Sequence, residues 1–368
     1  MAVTKSCPER QERRQRPGLS LALALGLITG AVPAQAQPPE PQRLEKIAAH
    51  AALATSERLR LRVRGDAMTA AVLSEPGFRA FQRDMRLQGF DGTGLTERRL
   101  SAAPLLAFDE NINGGLMEDR LWLNGWLFVA DPALKAKSGL VAGGTLGGSL
   151  RHAWSEGRSL SLSAVSELAW SPRHHIGRGD LMLRTCALNH LQGWSFLDLC
   201  ATGQRSFRQH STQSHLDLNL SLHQILATPL GYTDASLSLS SARPEGERAQ
   251  TRITLGAGSL WSFGATDFAL TLGRRVEGET RLRHRISAGV TLLPRGRPVT
   301  LDLAQEVSSD GSFAGIARHD RVTSARISAP LSAGISAGLG LVRARSTVSI
   351  ASYDRVSFEL RCHDWLRR

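Results

Sequence analysis

From about Leu100 to the end of the chain, apolar and polar residues alternate with a period of two. The clearest run extends from His215 to His223. Because successive side chains of a β-strand point to opposite faces, this pattern predicts strands with one apolar and one polar face. About fourteen such segments of about 10 to 14 residues follow one another, which is the length of tilted membrane-spanning strands.

The lengths of the connections between these segments distinguish a membrane barrel from a soluble β-sandwich. Short turns, such as those at Gly157, Gly193 and Gly296, alternate with longer loops at 171–178 and 242–250. Outer-membrane barrels have this asymmetry, whereas sandwiches have no reason for it. The sequence therefore predicts an all-β fold, an antiparallel transmembrane β-barrel of about 14 strands. The predicted barrel spans 119–362, with a lead-in at 98–118 and a C-terminal overhang at 363–368, and both termini are expected in the periplasm.

The N-terminus has the pattern of a cleaved signal peptide. A basic region is followed by a short apolar run and by the small-x-small sequence Ala34-Gln35-Ala36, so residues 1–36 are expected to be removed. Residues 37–97 are predicted to form a short helical or irregular periplasmic segment. No apolar run approaches the roughly 20 residues of a spanning helix, which excludes a helical integral membrane protein.

Three cysteines remain once Cys7 leaves with the signal peptide: Cys186, Cys200 and Cys362. A hairpin turn centred on Gly193 would place Cys186 directly opposite Cys200. Paired positions in antiparallel strands have Cβ atoms close to disulfide reach. Cys186 and Cys200 are therefore a candidate disulfide, and two buried free thiols are the alternative.

Basic residues at the polar positions of the alternating pattern, which would face the lumen, predict a positively charged wall inside the barrel. This lumenal basic row consists of Arg252, Arg275, Arg281, Arg283 and Arg285. Such a wall would attract anionic solutes or acidic peptides, or it would form an internal network of ion pairs. A turn at Arg295-Gly296 would also place Arg285 opposite Glu306, which makes this pair a lumenal salt-bridge candidate.

The sequence predicts no catalytic, cofactor-binding or metal site. His174 and His175 are consistent with a polar loop, since a metal needs three or four convergent ligands. His215 and His223 share the polar face of one strand, where a triad of an outer-membrane hydrolase is conceivable, but no nucleophile turn accompanies them. The positive charge is spread over strands without interleaved aromatic residues, so nucleic-acid binding is not predicted.

Residues 103–115 carry a resemblance to a known family. A Pro-led apolar stretch is followed by Asn111, Asn113, Gly114 and Gly115, and this segment resembles the start of the barrel domain of surface lipoprotein assembly modifiers. The resemblance implies a fourteen-stranded barrel that moves lipoproteins or other cargo to the cell surface. It also implies a helical repeat domain before the barrel, for which fewer than about 100 residues are present here.

Three hypotheses of function follow. The first is a non-enzymatic barrel in outer-membrane lipid of a Gram-negative bacterium, resembling surface lipoprotein assembly modifiers and exporting or displaying a secreted protein or lipoprotein. The alternative is a passive, porin-like channel for small anionic solutes. A distant third is an outer-membrane hydrolase.

Overall fold

The computed structural model describes residues 38–117, 120–123, 126–129, 131–332 and 335–362. The predicted signal peptide and the predicted overhang at 363–368 lie outside these residues. Three helices precede the strands: α1 (Pro41–Ala49), α2 (Glu57–Thr69) and α3 (Glu75–Leu87). None of the helices in the described residues is long and apolar enough to cross a bilayer.

The strands follow in chain order. They are β1 (Gly94–Asp109), β2 (Arg120–Leu123), β3 (Trp126–Val129), β4 (Gly139–Ser155), β5 (Arg158–Ser171), β6 (Ile176–Gln192), β7 (Ser195–Phe207), β8 (Thr212–Thr228), β9 (Gly231–Pro244), β10 (Gln250–Trp261), β11 (Gly264–Gly273), β12 (Arg281–Leu292), β13 (Val299–Phe313), β14 (Ile316–Ser332), β15 (Ile335–Ser346) and β16 (Tyr353–Cys362).

Fourteen of these strands form one closed antiparallel barrel. The strands from β4 to β16 pair in chain order, and β1 closes the sheet by pairing with both β4 and β16. The predicted fourteen-stranded barrel is therefore confirmed. We call the end that holds the β4–β5, β6–β7 and other even-to-odd connections the turn end, and the opposite end the loop end.

The prediction of the first strand is wrong. The segment 98–118, predicted as a lead-in, contains most of β1, which pairs with β4 from Gly94 to Asp109. Residues 119–130, predicted as the first strand, instead contain the hairpin of β2 and β3, which pair only with each other in the described chain. Each of these strands has four residues, which is too short to cross a bilayer. Because β1 takes the place of the strand predicted at 119–130, the number of barrel strands is still fourteen.

The outward face of the barrel is an apolar belt. At mid-height Leu199, Leu220 and Leu239 lie side by side on three neighbouring strands and are 57%, 42% and 37% exposed. Exposed leucine, isoleucine, valine or phenylalanine continues around the other strands at the same parity. Such a surface suits hydrocarbon, and a closed barrel satisfies every backbone group there because it has no edge.

The charged run at 56–66 forms most of α2. Ser56 caps this helix by accepting a hydrogen bond from Leu59 N, and Ser74 caps α3 in the same way. A buried ion pair between Arg64 and Asp84 joins the two helices. The chain between them therefore makes a helical hairpin.

Candidate functional site

The three helices pack into the turn end of the barrel. We call residues 38–90 the plug. Its buried apolar residues form one core with lumenal residues of β7 to β11. The plug contributes Leu44, Ile47, Ala51, Ala54, Leu59, Val63 and Ala67, and the barrel contributes Phe196, Ile225, Tyr232, Leu260 and Ala265. The segment predicted to be periplasmic is thus seated within the barrel mouth.

A tier of carboxylates lies directly above this apolar contact. Asp198, Asp234, Asp267 and Asp302 each follow the first residue of their strand by three positions, on β7, β9, β11 and β13. Since these strands all start at the turn end, the four side chains lie at a similar height in the lumen. We call them the aspartate arc.

The plug binds part of this arc. Arg58 of α2 donates two hydrogen bonds to Asp198, at 3.0 and 2.5 Å, and its guanidinium lies 4.4 Å from the centre of the Phe196 ring. Thr55 donates a hydrogen bond of 3.0 Å to Asp267. Beside the arc, Arg151 of β4 donates to Glu57 at 2.6 Å. Bidentate, charge-assisted bonds of this kind fix the orientation of the helix that makes them.

A cavity of about 990 Å³ lies in the lumen beside Thr55–Arg58 of the plug. Residues from every strand between β4 and β16 contribute to its lining. On β12 to β16 the lining consists largely of small side chains, including Ser287, Gly289, Ser324, Gly340 and Ser357, and it also contains Arg326. At the height of the apolar contact, β12 and β13 instead carry Thr291 and Thr300, whose hydroxyls hydrogen-bond each other. The plug therefore has apolar partners on β7 to β11 but not here.

All four carboxylates of the arc border this cavity. Asp267 and Asp302 differ from the other two because neither has a basic nitrogen within 4.0 Å in the described part of the chain. The carboxylates flank Gly289, where an added Cβ would lie 3.0 Å from Asp302 Oδ1 and 3.7 Å from Asp267 Cβ. Glycine at this position leaves room for both side chains above the strand.

The predicted lumenal basic row is broken. A register shift between Leu282 and His284 interrupts the alternation on β12. Towards the loop end, Arg281 is buried and paired with Glu247 and Glu279, each at 2.7 Å. Hydrogen bonds from Arg248 and Arg281 lower the pKa of the Glu279 carboxyl, which lies in the β11–β12 connection. This part of the row is neutralised by carboxylates.

The other members of the row are placed differently. Arg275 and Arg283 pair with Asp310, at 3.1 and 3.4 Å. Arg285 lies opposite Glu306 in the register, with a nitrogen–oxygen distance of 3.9 Å, and both side chains are well exposed. Such an exposed pair contributes about 0.2 to 1 kcal/mol.

Arg326 of β14 also faces the lumen, because it lies opposite Asp302 in the register, and it donates to Glu359 at 2.9 Å. At mid-height the lumenal arginines are Arg184, Arg252 and Arg285, seven to nine residues from the turn end of β6, β10 and β12. Arg252 donates to Gln250 Oε1 at 3.0 Å, and Arg184 donates to the two sulfurs of Cys186 and Cys200. We call these three residues the arginine tier.

The candidate cysteines lie opposite each other in the β6–β7 register and are joined by a disulfide in the structure. Their Cα atoms are 4.1 Å apart. Both side chains are buried on the lumenal parity, and Cys186 borders the cavity. The bridge therefore lies in the same wall as Arg184.

A thiol count tests this bridge in the isolated protein. The mature chain, denatured without reductant, is expected to show one reactive thiol, from Cys362, and three after reduction. A Cys362→Ser variant should then show none before reduction. Three thiols in the non-reduced protein would mean that the hairpin carries free cysteines.

The residues of the family-like motif have a structural role at the loop end. Asn113 is fully buried, donates to Lys135 O at 2.8 Å and accepts from Lys137 N at 2.9 Å. Asn111 donates to Gly115 O, and Gly114 has a φ of 69°, which favours glycine. These contacts join the two ends of the connection between β1 and β4.

His223 does not form a hydrolytic triad with the residues that the structure describes. His223 Nδ1 lies 3.0 Å from Asp234, and its Nε2 lies 3.7 Å from Asp198, so both ring nitrogens face carboxylates. The described residues contain no group of three or more histidine, cysteine, aspartate or glutamate side chains that could hold a metal ion. His174 hydrogen-bonds Ser138 O in a loop.

Sequence reasoning missed the aspartate arc. Its signal is an aspartate two residues after a lumenal side chain at the start of successive strands, as in Phe196-x-Asp198, Tyr232-x-Asp234 and Ala265-x-Asp267. Alternation alone assigns each aspartate to the lumen. Only the common spacing from the preceding turn shows that they share a height.

Comparison with protein-family models and with curated proteins finds no match. Among solved structures, the chain is similar to OccAB4 of Acinetobacter baumannii, with 7% identity and a TM-score of 0.38 over 72% of this chain and 97% of that chain. It is also similar to Pseudomonas aeruginosa OccK2 (OpdF) in complex with glucuronate, with 9% identity, a TM-score of 0.40 and coverage of 73% and 98%.

A third similar structure is the outer membrane protein OpdK of Pseudomonas aeruginosa, with 8% identity, a TM-score of 0.37 and coverage of 73% and 99%. All three TM-scores are below 0.5, so any inference about function has to rest on the residues of this lumen. The resemblance to surface lipoprotein assembly modifiers gains no support from these comparisons.

Proposed function

We propose that this chain is a bacterial outer-membrane channel for small hydrophilic solutes, with a preference for those that carry a negative charge. The supporting observation is the cavity of about 990 Å³ that the plug leaves inside a closed barrel with an apolar outer belt. Small polar side chains and glycine on β12 to β16 give this passage a wettable wall. The turn end, where the plug is seated, would face the periplasm.

The arginine tier supports the anionic preference. In a narrow passage with low-dielectric walls, guanidiniums without a close carboxylate raise the local concentration of anions. Arg184 and Arg252 interact electrostatically with Asp217 but have no carboxylate oxygen within 4.0 Å among the described residues, and Arg285 is held only loosely by Glu306. Rings of basic side chains select anions in other pores by the same physics.

Export of a protein partner is not favoured by the described residues. The helices that would capture cargo use their apolar side chains to pack on the barrel, and the plug occupies the mouth through which a chain would enter. Among the residues that the structure describes, His223 lies against the carboxylates of Asp198 and Asp234, which is not an arrangement of nucleophile, base and acid.

Solute uptake by liposomes that contain the purified protein tests the channel. Glucose and glucuronate have similar size and differ in charge, and we expect both to enter, with glucuronate about threefold faster at low salt. Arg285→Gln should reduce this ratio, whereas Arg297→Gln, an exposed residue of the β12–β13 turn, should leave it unchanged. Liposomes that take up neither solute would refute the channel.

A further inference from the structure

The open passage carries two tiers of opposite charge at different heights. The arginine tier lies seven to nine residues from the turn end, and Asp267 and Asp302 lie about three residues from it. Arg326 lies at the height of the lower tier, but it is bound to Glu359. A solute that moves from the loop end therefore passes the arginine tier before it reaches Asp267 and Asp302. This order is a property of the lumen that a single basic wall would not have.

The distance between the tiers is fixed by one register. Gly289 lies opposite Asp302, and Arg285 lies opposite Glu306. Four residues of strand separate the two positions, which is about 13 Å at about 3.3 Å per residue. The long side chain of Arg285 is half exposed, so its guanidinium has freedom to shorten this distance.

The plug determines which carboxylates remain available. Arg58 neutralises Asp198, and His223 lies against Asp234. Thr55 offers Asp267 a hydroxyl but no charge. Asp302 has no plug contact, and it borders the cavity together with Asp267. With the plug seated, Asp267 and Asp302 are therefore the two carboxylates of the arc that have no basic partner within 4.0 Å among the described residues.

Resting on the proposed channel function, we propose that this passage selects zwitterionic solutes, whose carboxylate binds Arg285 while their ammonium group binds Asp302 and Asp267. A zwitterion about as long as a tripeptide suits the spacing, because three extended residues separate its charges by about 10 Å. A simple anion gains only the upper contact and is repelled at the lower one. A simple cation is repelled at the arginine tier and gains only the contact with the carboxylates.

Three probes of nearly equal size separate these cases in the full-length protein. Triglycine is a zwitterion, N-acetyl-triglycine is an anion, and triglycine amide is a cation. We expect liposomes that contain the channel to take up triglycine about threefold faster than the anion. The cation should be the slowest of the three probes. Asp302→Asn should remove most of the advantage of triglycine over the anion.

The matched control is Glu245→Gln, which removes one carboxylate from an exposed loop and should preserve the order of the three probes. The variants must first give wild-type heat-modifiable mobility on gels, so that a folding defect is not mistaken for a change in selectivity. Equal uptake of all three probes, or an order unaffected by Asp302→Asn, would overturn the zwitterion proposal and leave the channel standing. Absence of uptake for every probe would instead refute the channel itself.

Discussion

Arg58→Glu is expected to unseat the plug and enlarge the passage. Arg58 is 6% exposed, and its guanidinium makes a bidentate contact with Asp198 and stacks over Phe196. Glutamate would place two carboxylates together in a partly buried site. Breaking a buried ion pair costs about 3 to 5 kcal/mol, because one charge remains without compensation. Single-channel recordings should show a larger and noisier conductance than that of the wild type.

Protease sensitivity provides a second measurement. Residues 38–90 should become cleavable in folded Arg58→Glu protein while the barrel itself stays resistant. Adding Asp198→Arg reverses the polarity of the pair and should restore part of the wild-type behaviour. Arg86→Ala, an exposed arginine of α3, is the control and should change neither readout. Wild-type conductance and protease resistance in Arg58→Glu would mean that this pair does not hold the plug.

The sequence predicts the barrel well because its signal is local. Alternation assigns each residue of a strand such as β8 to one face, and turn glycines set the hairpin register. The same two rules place Cys186 opposite Cys200 and Arg285 opposite Glu306 in the register that the structure shows. None of these statements needs information from distant parts of the chain.

The prediction of the first strand is wrong because the local pattern is ambiguous there. Both 98–108 and 119–130 are apolar segments of strand length, and the requirement for an even number of strands cannot choose between them. The choice depends on pairing with β4 and β16, which lie far along the chain from β1. Closure of the sheet, a long-range property, decided it.

The plug was beyond prediction for a related reason. Residues 56–66 are rich in arginine, and the sequence predicts residues 37–97 only as a short helical or irregular periplasmic segment, yet Arg58 and Arg64 are buried. Their partners, Asp198 and Asp84, are 140 and 20 residues away. A buried charge can be recognised only when its partner is known, so the seated helix could not be read from the run itself.

The bulge at Arg283 limited the prediction of the basic row. Strict alternation from Arg281 to Arg285 assumes a regular strand, and the structure inserts one extra residue between Leu282 and His284. The bulge directs Arg281 towards Glu279 and Glu247 in the loops. A β-bulge has no strong sequence signal, since it requires only that the partner strand be one residue shorter.

The second large effect concerns the apolar belt. Leu220 is the central residue of β8, is 42% exposed and lies between Leu199 and Leu239 on the neighbouring strands. If the belt spans a bilayer, Leu220→Arg puts a guanidinium at mid-membrane. The expected cost is about 2 to 4 kcal/mol in the free energy of unfolding from lipid vesicles, because arginine at that depth has no partner in hydrocarbon.

Ser324→Arg is a matched control for this change. Ser324 is the central residue of β14, at the same depth by strand position, and it faces the cavity instead of lipid. Arginine there can remain hydrated, so we expect a loss below about 1 kcal/mol. Denaturant unfolding of both variants in the same vesicles measures the difference directly. Equal losses for the two variants would contradict the assignment of the leucine face to the membrane. A larger loss for Leu220→Arg in lipid but not in detergent would locate the effect in the bilayer, because detergent adapts around a charge more easily than a bilayer of fixed thickness.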